Sequence, residues 1–284
     1  MALCVLCHDR PAQLRDLLDS ARGHSFDEIV VVDMASDPTL EVQPDATMWT
    51  RRESNLGCPA GRNELMSLSS ADVALFVDDD AVLMGTGDYA EILRDFFDAM
   101  PNVGAVAGLI RRGDGHIERH EFPFPGKPAR IMKARRAGCV VGACTAFRRC
   151  AFEEANGFDS TFFYSTEELD ICTRLHQSGW DIWFLPDLLI EHRPAEQGRV
   201  PATHLLTFRL RNRIIYCRRS LPWPAAVVHG LIWTGIIGRD AFRTHAIKGW
   251  KDGRAEGIRT PVLRQPLSRS EARELHRLGG RVWL

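Results

Sequence analysis

Val73-Ala-Leu-Phe-Val77, followed by Asp78-Asp79-Asp80, is the stretch that decides the fold. An apolar run of that length, entered through Ala71-Asp72, reads as a buried strand. Three carboxylates at its end need a reason, because ionised acids packed together repel one another and resist leaving water. A solvated surface turn is one reading. The other is a divalent cation site, since hard Mg2+ or Mn2+ takes oxygen ligands and carries substrate phosphates on its open positions.

Working outward from that strand, the same pattern recurs. Leu3 to Cys7 is a short apolar strand ending at His8-Asp9-Arg10-Pro11, and Pro11 suits the first turn of a helix. Leu14, Leu17, Leu18 and Ala21 then repeat at helical spacing. Glu28 to Asp33 is a second strand that ends in an acid, followed by the loop Met34-Ala-Ser-Asp37. A strand around Ala46 to Arg51 leads through Asn55-Leu-Gly57 to a helix entered at Pro59. Strands alternating with helices predict an α/β chain with a mostly parallel, Rossmann-like sheet flanked by helices. Ligands of such sheets bind beyond the carboxyl ends of the strands, where Cys7 to Asp9, Asp33 and the triple aspartate all lie.

Downstream, Tyr89 to Ala99 reads as a helix with Ile92, Phe96 and Phe97 inward, and Val103 to Ile110 as a strand. Arg111 to Arg136 is long, polar and irregular, which suggests a functional element. Cys139 to Phe147 is strand-like. Gly157 to Cys172 opens a helix that continues through Leu175, and Trp180–Leu185 and Leu188–His192 are two short strands.

The chain has 284 residues, a formal net charge of -1 and 45% hydrophobic content. That supports a large core and gives no overall field for nucleic acid. Cys4 and Cys7 form the lone CxxC, on opposite faces of a strand, so the eight cysteines read as reduced thiols. The N-terminus lacks the basic and long apolar regions of a signal peptide. The expectation is a cytoplasmic protein.

In order and spacing these pieces resemble the family 2 glycosyltransferases of GT-A fold, over roughly Leu3 to Arg219. Cys7-His-Asp-Arg-Pro11 stands where that family often has Thr-Tyr-Asn-Arg-Pro. Val31-Val-Asp-Met-Ala-Ser-Asp37 is similar to its Val-Asp-Asn-x-Ser-x-Asp loop, and Asp78-Asp-Asp80 to its Asp-x-Asp motif. Asn55-Leu-Gly57 with Gly61-Arg-Asn63 resembles an element of rhamnosyl- and galactofuranosyltransferase-like members. Gly157-Phe-Asp159, Glu167-Glu-Leu-Asp170 and Pro186 through His192 resemble the remaining motifs.

The resemblance implies an inverting, metal-dependent transfer of a sugar from a nucleotide-diphospho-sugar (UDP-, dTDP- or GDP-linked) by direct displacement. It implies Mn2+ or Mg2+ on Asp78, Asp80 and His192, and donor contacts from Cys7, Asp9, Asp33, Arg62, Asn63, Asp78 and Asp79. The family's usual base is an Asp; here Glu168 stands in its place, with Glu167 and Asp170 as further candidates. Ser165-Thr-Glu-Glu168 also fits a capping box, a purely structural use of the same acid. The acceptor would be a glycan, lipid, peptide or natural product. Two alternatives stand beside this one: a sugar-1-phosphate nucleotidyltransferase and a non-catalytic glycan- or partner-binding module. The first would call for a glycine-rich phosphate loop after the first strand, and His8-Asp-Arg-Pro11 is not one. The intact acids at 78, 80 and 168 argue against the second.

The expected organisation is a catalytic domain over 1–200, with a nucleotide-sugar half (1–100) and an acceptor half (101–200), and a C-terminal helical extension over 201–284. Thr207 to Tyr216 is basic and amphipathic, and from Arg239 onward Arg and Lys exceed the acids. Ala225 to Ile237 is apolar and too short to span a bilayer. It reads either as a core or homodimer helix, or as an interfacial helix holding the protein peripherally to the inner face of a membrane.

Overall fold

The computed structural model describes residues 1–124, 132–195, 197, 198, 200–280 and 282. Residues 125–131 of the polar Arg111–Arg136 segment therefore lie outside the described residues.

β1 (Ala2–Cys7), β2 (Glu28–Met34), β3 (Met48–Arg52) and β4 (Val73–Asp78) run parallel in the order β3-β2-β1-β4. β5 (Ala81–Leu83), β6 (Val103–Arg112), β7 (Arg135–Ala137), β8 (Cys144–Arg148) and β9 (Asp181–His192) complete the sheet. β8 pairs antiparallel between β4 and β6, β6 pairs parallel with β9, and β5 and β7 share the outer edge of β9. The sheet is mostly parallel, as the alternation of elements predicts. Its interior strands carry apolar residues on both faces because helices cover both.

On one face α1 (Pro11–Ala21) packs Leu14, Leu17, Leu18 and Ala21 onto the sheet, and α3 (Tyr89–Ala99) adds Leu93 and Phe97. Burying each such leucine stabilises the fold by roughly 1.5–3 kcal/mol relative to exposure, so Leu17→Asp would break this layer. Asp88 starts α3 by accepting hydrogen bonds from the amides of Ala90 and Glu91. The opposite face carries α2 (Cys58–Leu68), α4 (Arg149–Glu154) and α5 (Glu167–Gln177) over a core rich in phenylalanine. Cys7 belongs to the first core and Cys4 to the second, as their spacing on one strand demands.

Three local expectations need correction. β9 is one strand with a register shift opposite Gly108/Leu109, rather than two short strands. Residues 139–143 precede β8 and leave the sheet to line a cavity. α5 begins at Glu167 and not near Gly157, because Phe163, Ser165 and Thr166 all adopt positive φ (53°, 71° and 79°). That backbone also removes the expected capping box: Thr166 is the N-cap and no side chain caps the helix.

Beyond the sheet come α6 (Ala202–Ser220), α7 (Trp223–Arg243), α8 (Ile247–Arg259) and α9 (Arg269–Arg277). α8 lies against α6 through Gly249, Gly253 and Gly257; a Cβ at Gly253 would stand 2.5 Å from the Thr207 carbonyl oxygen. α6 is tied to α5 and to the loop before it by Arg219, which reaches Asp170 at 2.5 Å and Asp159 at 2.6 Å. Among the described residues, no helix is long and apolar enough to cross a membrane.

Candidate active site

The carboxyl ends of β1 and β4 place Cys7, His8 and Asp78 to Asp80 side by side, since the two strands pair in parallel with Leu6 opposite Asp78. Arg10, just past β1, neutralises the inner two acids at once. Its guanidinium lies 2.7 Å from Asp79 and 3.0 Å from Asp80. Asp79 also accepts the His8 amide at 3.2 Å. Burial pushes the Asp79 carboxyl up to about 6 against the pull of Arg10, and the neighbouring Asp80 charge adds to the rise. Asp79 thus acts as a buried brace between two strand ends.

Asp78, Asp80 and His192 each offer a ligand atom, and these atoms lie within 4.8 Å of one another. Asp78 is part-exposed at the end of β4, whereas Asp80 is buried and accepts the Ala195 amide at 3.2 Å. His192 ends β9, with Nε2 3.2 Å from Asp80 and Nδ1 2.8 Å from Glu121. Glu121 in turn pairs with Arg112 at 2.7 Å. Burial disfavours the imidazolium, but the hydrogen bonds to Asp80 and Glu121 outweigh it and raise the ring to about 10, helped by the charges of Asp78 and Asp80. Two carboxylates and an imidazole held this closely, with a carboxylate orienting the far ring nitrogen, fit a divalent cation of the Mn2+ or Mg2+ type.

Two cavities meet here. One, of about 420 Å³, runs from Leu6, Cys7 and Met34 past the triple aspartate to Pro194 and Leu205. The other, of about 330 Å³, is walled by Cys139 to Ala143, Ser165 to Leu169 and Arg213. Cys58, Arg62, Asp78, Glu121, Tyr164 and His192 belong to both.

Arg62 stands at the junction. It is buried on α2, donates to Asp78 and to the Gly142 carbonyl at 3.1 Å each, and lies 3.7 Å from both Glu167 and Glu168. Glu168 keeps a quarter of its side chain exposed toward the second cavity. Glu167 is buried, and one of its carboxylate oxygens has no hydrogen-bond partner. Burial foremost, then the Glu168 charge, holds its carboxyl above the ordinary range.

The loop presenting these acids is fastened from outside. Asn212 of α6, fully buried, donates to the carbonyls of Phe162, Tyr164 and Ser165 at 2.7–2.9 Å. The Cys58 amide holds the Phe163 carbonyl at 2.9 Å. Gly57 makes that approach possible: its φ is 84°, and a Cβ there would lie 2.7 Å from the Phe163 Cα.

Cys7, Arg62, Asp78, Asp79, Asp80, Glu167, Glu168 and His192 thus line one or both cavities. Asp9, Asp33, Asn63 and Asp170 do not. Asp33 is fully buried, accepting from Arg51 at 2.6 Å and from the Ser36 amide at 3.0 Å. Asp9 joins the same loop through Ser36 and the Asp37 amide. Asn63 clasps Phe158 through both its backbone amide and its carbonyl, 2.8 Å each. Asp170 is enclosed by Arg174 and Arg219. Asp9, Asp33 and Asn63 brace loops, and Asp170 ties α5 to α6. Arg10, Glu121, Tyr164 and Asn212 are participants that the sequence reading did not single out. For Glu121 the one signal was the length of its polar segment.

Solved structures that superpose on the chain define the fold. S. aureus TarS 1-349 in complex with UDP-GlcNAc superposes with a TM-score of 0.60 over 99% of this chain and 88% of its own, at 13% identity. The mannosyltransferase PcManGT from Pyrobaculum calidifontis, in complex with GDP-Man and Mn2+, gives 0.56 over 97% and 78%, at 16% identity. The fold is GT-A.

Residues 2–155, more than half the chain, match the model of Glycosyl transferase family 2, and the chain belongs to that family. N-acetylglucosaminyl-diphospho-decaprenol L-rhamnosyltransferase of Mycobacterium tuberculosis is 27% identical over 216 residues, 67% of this chain. The pre-mycofactocin glycosyltransferase of the same organism is 28% identical over 200 residues, 66% of this chain. The matched regions span 64% and 41% of those two relatives.

Proposed function

We propose that the chain transfers a sugar from a nucleotide-diphospho-sugar to an acceptor hydroxyl with inversion at the anomeric carbon. One observation carries the reading: two cavities meet at Asp78, Arg62 and His192, and Glu168 faces only the second. The first cavity takes the nucleotide and diphosphate, with Cys7, His8 and Met34 at its inner end. The second takes the acceptor.

Asp78, Asp80 and His192 would hold Mn2+ or Mg2+, which when bound would supply charge neutralisation for the departing diphosphate. Arg62 adds a fixed positive charge at the junction, in a site where reduced solvent strengthens it. Glu168 takes the proton of the acceptor hydroxyl. The new bond joins that oxygen to the anomeric carbon as the bond to the diphosphate oxygen breaks, and the electron pair leaves with the nucleoside diphosphate. No enzyme carboxylate bonds to sugar. Glu167, holding its proton more firmly, is suited to donate a hydrogen bond to the acceptor.

The likeness to the diphospho-decaprenol L-rhamnosyltransferase favours a deoxysugar such as rhamnose as the donor sugar and a lipid-linked acceptor, which keeps a cytoplasmic protein at a membrane face. The test is a panel of sugar nucleotides with and without Mn2+, read by thermal shift and by nucleoside diphosphate release, because a ligand of the native state raises its apparent stability. One sugar nucleotide should stabilise the protein with Mn2+ and release its nucleoside diphosphate. Uniform indifference across UDP-, dTDP- and GDP-sugars would sink the reading.

A further inference from the structure

We infer that the outer face of α7 and α8 is a docking surface for an anionic lipid bilayer. From Trp223 to Gly238, α7 contains no Asp, Glu, Lys or Arg, yet it is not a buried helix. Trp223, Val227 and Leu231 follow one another at intervals of four and are 62%, 54% and 70% exposed. Phe242, 76% exposed, returns to the same arc about three turns after Leu231. Trp223, Val227 and Leu231 thus form an apolar strip of two turns, set apart from Phe242 by Thr234 and Gly238, against which Trp250 of α8 packs, and a soluble chain seldom leaves such a strip to water.

The neighbouring charges select the occupant. α8 turns its glycines onto α6, and the outward arc holds Ile247 and Ile258, 38% and 50% exposed, among Lys248, Lys251, Arg254 and Arg259. Arg239 and Arg243 flank the C-terminal end of the α7 ridge. The acids of this helix are already engaged, Asp252 with Lys248 at 2.5 Å and Glu256 with Arg211 at 3.6 Å. Apolar side chains bracketed by cations suit an interfacial helix pair on anionic headgroups. A second copy packed ridge to ridge would instead bring the like charges of Arg239, Arg243, Lys251 and Arg254 together.

The ridge is also coupled to the site. On the inner side of α7, Trp233 lies 4.1 Å beneath the Arg213 guanidinium, and His229 is 3.3 Å from it. Arg213 lines the second cavity. A bilayer against the outer face therefore lies one helix away from where the acceptor would sit. Docking of this face deepens the lipid-linked-acceptor reading and rests on it for the place of the acceptor, but vesicle binding is read without turnover.

The test is flotation of the full chain with phosphatidylcholine vesicles, with and without phosphatidylglycerol. The chain should float with the anionic vesicles and be released by salt, each cation near the surface contributing about fivefold. Leu231→Asp with Phe242→Asp should lower the bound fraction about tenfold or more, and Lys251→Glu with Arg254→Glu should act only on the anionic vesicles. All four residues are exposed, so melting temperature should stay at the wild-type value; Leu231→Gln serves if the acidic pair fails to fold. No flotation, or flotation untouched by both pairs, overturns the proposal. So does a wild-type dimer that Leu231→Asp dissociates and that never floats, which would make a second copy the occupant.

Discussion

The acids on the two sides of the junction are held differently. In the first cavity each buried carboxylate meets a cation at hydrogen-bond distance: Asp79 with Arg10 at 2.7 Å, Asp80 with Arg10 at 3.0 Å, Glu121 with Arg112 at 2.7 Å. Toward the second, Glu167 and Glu168 share one guanidinium at 3.7 Å each. Close pairs fix charge and geometry in advance, which suits a surface that must receive a diphosphate and a metal. A loosely compensated carboxylate remains free to accept a proton. The contrast is therefore between a braced half and a reactive half, with Arg62 serving both.

The sharpest way to break the contrast is to remove that shared cation. Arg62→Met leaves the Asp78 and Glu168 carboxylates without the cation they share, and should cost about 3–5 kcal/mol of stability, as for other broken buried pairs. Urea denaturation would read it; a loss near zero would mean that Arg62 is not the centre of the cluster. Asn212→Ala removes the side-chain donor shared by three carbonyls of the 162–165 loop, of which that of Phe162 keeps the Tyr164 amide, and should cost about 1–3 kcal/mol. Because that loop presents Glu168, kcat should fall with little change in donor affinity. An equal loss in donor binding would place the effect elsewhere.

The braced half has a pH signature. His192 is raised from 6.5 to about 10, so in the metal-free protein its ion pairs stabilise fully below 6.5, and that contribution fades as pH rises through about 10. In EDTA, melting temperature should decline across that window from this group. Mn2+ must displace the ring proton, so its affinity should climb about tenfold per pH unit over the same range. Calorimetry in buffers of different ionisation enthalpy would count the proton released; none released would remove His192 from the ligand set. The smallest effect is Asn63→Ala, about 1 kcal/mol through the lost clasp on Phe158, with donor affinity unchanged. A clear loss of donor affinity would restore Asn63 to the donor site.

Much of this was legible in the sequence where a short-range rule sufficed. Apolar runs ending in acids located β1, β2 and β4, and parallel pairing then brought Cys7 and Asp78 to one edge. His192 was legible only through family resemblance, since its position opposite Ala81 depends on β9 pairing with β5. What failed was long-range or conformational. Glu121 reaches His192 across 71 residues, and Asn212 reaches Tyr164 across 48. Neither distance leaves a mark on local pattern. The donor role that the resemblance implies for Asn63 stands beside a contact no local pattern signals, its amide bonded to Phe158, 95 residues away. The capping box at Ser165 was a sound local reading that positive φ at Ser165 and Thr166 overrode.

The central claim is that binding the donor and activating the acceptor are carried by different carboxylates. The most direct measurement pairs two isosteric variants, Asp80→Asn and Glu168→Gln, each assayed for Mn2+-dependent thermal stabilisation by the sugar nucleotide and for turnover. Asp80→Asn should lose the Mn2+-dependent stabilisation. Glu168→Gln should retain it in full while turnover falls about 10²–10⁴-fold, the usual contribution of a general base. Undiminished turnover in Glu168→Gln, or donor binding that survives in Asp80→Asn and fails in Glu168→Gln, would contradict the account.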